Sequence, residues 1–361
     1  MARRRAPAME RILAVALLAA ALAGCAQNGQ GEPPFTFDGD GAFDAVRLLV
    51  EDPNGSPRFR VPGTAGHEDA SRALWEAMRA TGWEVRFQNF TGAMYQELGR
   101  GSFQDWNEDP AHCGEEDRDE LPGLRFSNLV ATWPGREDRM LWLGAHWDSK
   151  EEADRDPDPG RRNEPVLGAN DGASGVGVLL RLMQHVAEGD VEVPFGLGIV
   201  FFDGEDGFVD CHPLAGSLFF VSRLLAGEVG RFILLDMVGD ADARFPRESH
   251  SVQGDPGLVD LLWRHAPAAG LAENFLDDER GVGGDDHFPF LEAGIPAVDI
   301  IDLGRERPES STGFPPYWHT TGDTLDKIDA GMLGRVGGLL VATLTDDDLA
   351  SEWPAATPAA S

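Results

Sequence analysis

The chain is predicted to be α/β: a three-layer sandwich with helices on both faces of a mostly parallel central sheet. Two observations carry this expectation. Strand-like apolar runs alternate with helical patterns from residue 127 to 344, as in a parallel sheet built from crossover helices. Several of those runs also end in a carboxylate or an imidazole: Leu-Trp-Leu-Gly-Ala ends in His146, Ile-Val-Phe-Phe-Asp-Gly in Glu205 and Asp206, and Phe-Ile-Leu-Leu in Asp236. The carboxyl edge of an open α/β sheet is where such groups converge.

The elements follow in chain order. Val61 to His67 is a turn-rich lead into a helix whose apolar face holds Leu74, Trp75 and Met78, extended by Ala70, Ala77 and Thr81. Trp83 to Phe90 alternates and predicts a strand. Met94 to Leu124 is Gly-rich, acidic and irregular, an insertion or long loop. Ser127 to Trp133 and Arg139 to Ala145 predict strands joined through Pro134-Gly135, a hairpin signal. Lys150 to Pro165 is a charged, Pro-rich surface loop. After Asp171, apolar residues at Val176, Leu179, Leu180, Met183 and Val186 mark a helix packed on a sheet. Gly196 to Phe202 is a wholly apolar strand. Leu214 to Leu225 predicts a helix, Arg231 to Val238 a strand, Gly257 to Ala266 a helix and Ala297 to Ile301 a strand. Leu303 to Pro316 is irregular. Leu325 to Leu344 is a final helix with Met332, Val336, Leu339, Leu340 and Leu344 inward.

The 361 residues suffice for one large domain. No internal repeat and no linker separates two cores, so residues 41–349 are expected to form a single domain and 350–361 a disordered Pro/Ala-rich tail. The formal charge of -32 argues against nucleic acid or an anionic membrane face as partner. Residues 1–24 have the form of a targeting segment: Arg3, Arg4, Arg5 and Arg11 precede an apolar stretch from Ile12 to Ala23 that is too short to span a bilayer. It ends in Leu22-Ala23-Gly24-Cys25, which resembles a bacterial lipoprotein box. That implies cleavage before Cys25, acylation there, a tether over residues 25–40 and a place in the cell envelope. Membrane attachment would then be through lipid alone. Cys113 and Cys211 form either a disulfide or two free thiols.

His146, Asp171, Glu205, Asp206, Asp236 and His319 are candidates for one metal centre. Taken singly, an Asp after a strand is an ordinary cap or turn residue. Together at strand ends they point to zinc, which takes imidazole nitrogen and carboxylate oxygen and keeps a coordination position open in catalytic sites. Asp171 leads into a helix N-terminus, where an anion is favoured. Glu205 and Asp206 are neighbours whose side chains point to different sides. One can bind metal while the other moves protons.

From Val61 to Leu344 the chain resembles the zinc-dependent glutaminyl cyclases, relatives of bacterial di-zinc aminopeptidases. The motifs that carry the resemblance are GAHWDSK, GANDGASG, FFDGEDGF, LLDMVGD, GGDDHFPFLEAGIPAVDII and YWHTTGDT. It implies one zinc held by Asp171, Asp206 and His319, with Glu205 as general acid/base. Asp236 and Asp285 would be a hydrogen-bonded pair beside the substrate, and Trp318 the aromatic wall of its pocket. His146 matches a histidine that binds metal in the di-zinc relatives. Asp285-Asp286-His287 stands where those aminopeptidases carry Ser-Asp-His. The chain departs from the animal cyclases in lacking a second pocket tryptophan near Cys211, in having Asp206 for a glutamate, and in lacking the cysteines that bracket the site.

The implied activity is cyclisation of N-terminal glutamine of peptides, with ammonia released. The alternative is a di-zinc aminopeptidase, with His146, Asp171 and Asp236 on one metal and Asp171, Asp206 and His319 on the other. A third reading is a non-catalytic binding module on the same fold. In the first two, the partners are peptide or protein N-termini.

Overall fold

The computed structural model describes residues 35–98, 123–135, 137–206, 214–224, 229–304 and 313–351. The leader, Cys25, the Gln27 to Pro34 tether, Cys113 and Cys211 lie outside the described residues. Among the described residues no helix is long and apolar enough to cross a membrane.

Two helices and a strand come first: α1 (Gly39–Val50), α2 (Ala65–Ala80) and β1 (Glu84–Thr91). The α1 helix was not expected. Its signals are nevertheless local: Asp38 caps it by accepting from the Gly41 amide, and Ala42, Val46, Leu49 and Val50 are its buried side. Phe37, just before it, is buried in the same core. A short helix α3 (Gly92–Glu97) follows β1 where only loop was expected.

The central strands are β2 (Arg125–Trp133), β3 (Glu137–His146), β4 (Phe195–Phe202), β5 (Arg231–Asp236) and, later in the chain, β8 (Ala297–Ile301). With β1 they form one six-stranded sheet in the order β1-β2-β4-β3-β5-β8. The pairs β4–β3, β3–β5 and β5–β8 are parallel; β1–β2 and β2–β4 are antiparallel. The expected hairpin through Pro134-Gly135 is not made, because β4 inserts between β2 and β3. A Cβ on Gly135 would fall 2.1 Å from the Phe195 carbonyl carbon, so this turn passes against the start of β4.

Two helices of opposite placement connect the central strands: α4 (Ala173–Glu188) joins β3 to β4, and α5 (Ala215–Ser222) lies between β4 and β5. Alternation along each strand separates the two faces. Leu141, Leu143, Leu197, Ile199, Ile233 and Leu235 pack into the larger core with α1, α2 and α4. Trp142, Val200, Phe202, Phe232 and Leu234 face the other way, against Phe220 of α5 and Phe290 of α8 (Phe288–Glu292). Phe290 stacks on Phe232 at 3.9 Å between centroids. The three layers are thus as expected. Because β4 and β5 lie on either side of β3 and are reached over opposite faces, the carboxyl end of β3 is the switch point where an open sheet leaves a crevice.

The rest of the domain is β6 (Phe245–Glu248), α6 (Ser249–Gly254), α7 (Pro256–His265) and β7 (Phe275–Arg280), with β6 and β7 forming a small parallel sheet that was not foreseen. The last predicted helix is broken. A single 3-10 turn (Leu325–Lys327) precedes α9 (Ala330–Leu344), which restarts because Asp329 caps it through the Met332 amide while Ile328 bridges to Asp240. A five-residue helix α10 (Asp347–Ser351) carries the ordered chain past residue 349.

Candidate active site

The parallel register assembles the site. His146, last in β3, sits beside Phe202, last in β4, and Gly144 pairs with Leu234. Two residues on, Asp236 is therefore level with His146. The chain leaving β4 turns through Asp203 and Gly204 to present Glu205 and Asp206. Asp203 itself turns away to His67 (2.9 Å). Asp171 ends the loop before α4, where Gly172 has φ of +79° and a Cβ would lie 2.5 Å from the His146 ring. Only glycine lets Asp171 and His146 come this close.

Asp171, Asp206 and His319 each offer one ligand atom, and these atoms all lie within 4.8 Å of one another; the same holds for His146, Asp171 and Asp236. His319 Nε2 is 3.0 Å from Asp206 Oδ1 and 3.7 Å from Asp171 Oδ2. His146 Nε2 is 3.0 Å from Asp171 Oδ1 and 3.5 Å from Asp236 Oδ1. Asp171 therefore bridges the two groups, one oxygen toward each. Asp171 Oδ2, Asp206 Oδ2 and Asp236 Oδ1 are buried and accept no hydrogen bond. Buried carboxylate oxygens are costly without a donor or a cation, and this nitrogen and oxygen set is the one zinc takes. The residues fit the metal.

Glu205 stands apart from the first group, with Oε2 4.0 Å from His146 Nε2. Burial, then the charges of Asp206, Asp285 and Asp286, push its carboxyl well above the usual range, against the opposing pull of His146. Burial also raises Asp171, to about 6, with Asp206 adding to the shift. Burial would raise Asp206 too, but the His319 charge and hydrogen bond outweigh it and hold Asp206 low. Burial works against the charged form of His319, yet Asp206 and Asp154 bring it up to about 9. Adjacent acids thus have opposite tendencies: Asp206 is held toward its ionised form, and Glu205 has a raised affinity for a proton.

Asp285 is buried beside Asp299, Asp236 and Asp286, and burial, then the charges of these three, push its carboxyl well above the usual range. Asp299 lies within β8, opposite Leu234 of β5. Asp236 Oδ1 lies 3.5 Å from His146 Nε2. Trp318 precedes His319 in the same loop. Its indole stacks on the His319 ring at 3.8 Å and packs with Phe314 against Met237, Val282, Ile301 and Leu303, giving an apolar wall next to the metal-binding groups.

Four supporting residues escaped the sequence reading. Asp148, fully buried, accepts the amides of Glu205 (3.2 Å) and Asp206 (3.0 Å). Asp323 accepts the amides of Asn170 (2.8 Å) and Asp171 (3.0 Å). Asp154 lies 3.3 Å from His319 Nδ1. Arg60, fully buried, spends its guanidinium on the carbonyls of Trp147, Asp148, Leu167 and Gly168. It thereby ties the segment after His146 to the loop before Asp171. Asp148 and Asp323 stand in motifs already singled out, GAHWDSK and YWHTTGDT. Nothing in the local sequence marks Arg60.

Comparison with known proteins places the chain in a family. The profile of peptidase family M28 matches residues 128–344. The chain is similar to a crystal structure of Porphyromonas gingivalis glutaminyl cyclase, with 30% identity and a TM-score of 0.70 over 86% of this chain and 98% of that one. It is also similar to a Zn-dependent exopeptidase from Parabacteroides distasonis, with 27% identity and a TM-score of 0.70 over 87% of this chain and 100% of that one. A glutaminyl-peptide cyclotransferase-like protein of Bos taurus is 25% identical over 80% of this chain and 72% of its own length. With its parallel α/β sheet and its histidine and aspartate groups at the switch point, the chain belongs to the M28 peptidase and glutaminyl cyclase family.

Proposed function

We propose that the protein cyclises N-terminal glutamine of peptides to pyroglutamate, releasing ammonia. The observation that supports this most directly is a buried carboxyl of raised proton affinity, Glu205, beside the Asp171, Asp206 and His319 group, with the apolar Trp318 surface next to them. Zinc held by Asp171, Asp206 and His319 would polarise the side-chain amide. Glu205, as carboxylate, takes a proton from the α-amine as its nitrogen forms a bond to the amide carbon. It then gives that proton to the departing nitrogen as the carbon–nitrogen bond breaks, so ammonia leaves and the carboxylate is regenerated. Trp318 holds the stem against the reacting groups, so attack is intramolecular and needs no covalent enzyme intermediate. Asp285, buried with Asp299, is pushed toward its neutral form by burial and by its acidic neighbours and can donate a hydrogen bond there.

One observation favours a second reading, a di-zinc aminopeptidase. Asp236 is oriented to His146 and Asp171 bridges both groups, so two cations could share the shell. Glu205 would then activate water for hydrolysis. A side-by-side assay decides: ammonia release from Gln-peptides against amine release from Leu-peptides, with zinc counted on the same sample. One zinc and ammonia support cyclisation; two zincs and released leucine overturn it. The proposal extends to lipid attachment at Cys25, which a Cys25→Ala variant tests by loss of membrane fractionation.

A further inference from the structure

Residues 153–158 lie across the loop that carries His319, and three consecutive residues each grip a different part of it. Asp154 Oδ1 is 3.3 Å from His319 Nδ1. The Arg155 amide donates to the His319 carbonyl (3.1 Å), and its guanidinium lies 4.7 Å over the Trp318 ring. The Asp156 carboxylate accepts from the Thr321 amide (3.0 Å) and hydroxyl (2.6 Å). The segment is itself anchored: Ala153, fully buried, donates to the Glu164 carbonyl, and Arg162 Nε donates to the Asp156 carbonyl.

His319 needs holding. Its φ is +55°, a left-handed conformation that a residue with a Cβ keeps only when its surroundings over-determine it. Its two ring nitrogens also face different groups, Nδ1 toward Asp154 and Nε2 toward Asp206 and Asp171. An Nδ1–H donated to Asp154 leaves the Nε2 lone pair for a cation.

We infer that Asp154, Arg155 and Asp156 form a strap that positions both the metal ligand His319 and the pocket wall Trp318, with Asp154 governing metal affinity and Arg155 governing substrate fit. This rests on the zinc reading above. The division of labour follows from the contacts with the His319 loop: Asp154 reaches the imidazole, and beyond it only its exposed neighbour Arg155 at 3.9 Å, whereas the Arg155 side chain reaches the indole. The Asp154 and Arg155 side chains are 40% and 48% exposed, so replacing either leaves the core untouched.

The test uses the full chain, with zinc affinity read by competition against a chromophoric chelator and kinetics read on zinc-saturated protein. Asp154→Ala should weaken zinc binding ~10–100-fold. Asp154→Asn, which keeps an acceptor for Nδ1–H, should recover most of that loss. Arg155→Met should leave zinc affinity unchanged and raise KM several-fold at constant kcat. A role confined to stability would instead move the Tm of both variants and leave zinc affinity alone. Wild-type zinc affinity in Asp154→Ala overturns the strap, as does an unchanged KM in Arg155→Met for the wall. If the unsubstituted chain binds no zinc, the metal reading itself fails, a result distinct from either.

Discussion

Replacing Glu205 by glutamine separates proton transfer from metal binding. The amide has nearly the same size as the acid. Glu205 is not in the Asp171, Asp206 and His319 group, and its Oε2 comes no nearer than 4.0 Å to His146 Nε2. Its one structural bond is made by its backbone amide, to Asp148 Oδ1 at 3.2 Å, and survives the change. Zinc content and fold should therefore be unaltered. What is lost is the group that accepts a proton from the amine and returns it to the leaving nitrogen. Positioned general acid–base groups contribute ~10²–10⁴ in rate, which is about 3–5 kcal/mol of barrier at about 1.4 kcal/mol per factor of ten. We expect kcat for ammonia release to fall by that range while KM changes little, because the apolar Trp318 wall is untouched. Zinc should be quantified on the assayed sample. A variant within tenfold of the parent, or one that loses zinc along with activity, refutes the separate roles given to Glu205 and its neighbour Asp206.

Asp148→Asn swaps one acceptor oxygen for a donor facing the amides of Glu205 and Asp206. Zinc affinity measured by chelator competition should drop ~10-fold or more, and unchanged affinity would show that Asp148 does not set the shell. Gly175→Val tests the close approach of α4 to β5: a Cβ there would lie 2.4 Å from the Leu235 carbonyl oxygen and 2.9 Å from the Ala145 Cβ. The strain should cost about 3 kcal/mol or more in urea unfolding, and a shift under 1 kcal/mol would contradict the packing. For chelator-treated protein, Tm should fall steadily from pH 5 to 9. Asp171 and Asp323 have pKa values raised from 3.8 to about 6 and about 7, so the folded state keeps protons that the unfolded chain has released and loses stability as pH rises through that window. His319, raised from 6.5 to about 9, stabilises fully below 6.5 and loses that contribution as pH climbs to 9. Zinc replaces those protons, so the zinc-loaded protein should show a flatter slope. Parallel slopes with and without zinc would sink this account.

The sequence by itself determined the strands, most helices and which polar residues are candidates to hold a metal. Phe195 to Phe202 is a continuous apolar run, buried throughout, because a central strand between two helical layers has both faces covered. Val176, Leu179, Leu180, Met183 and Val186 lie at helical spacing and are all buried on α4. His146, Asp236 and the Glu205–Asp206 pair were legible because a polar residue at the end of such a run stands out. These are local signals, spacing and termination, and the chain carries them in its order. Which strands become neighbours is not local. Pro134-Gly135 has the chemistry of a hairpin, yet β2 and β3 are separated by β4, because burying both faces of β4 outweighs a short connection. The hold of Asp148 on the Glu205 and Asp206 amides, the grip of Asp154 on His319, and the reach of Arg60 across two loops join residues that only folding brings together. Carboxylates and guanidiniums are chosen as partners by distance and burial, and those quantities exist only once the sheet has closed its layers around the switch point.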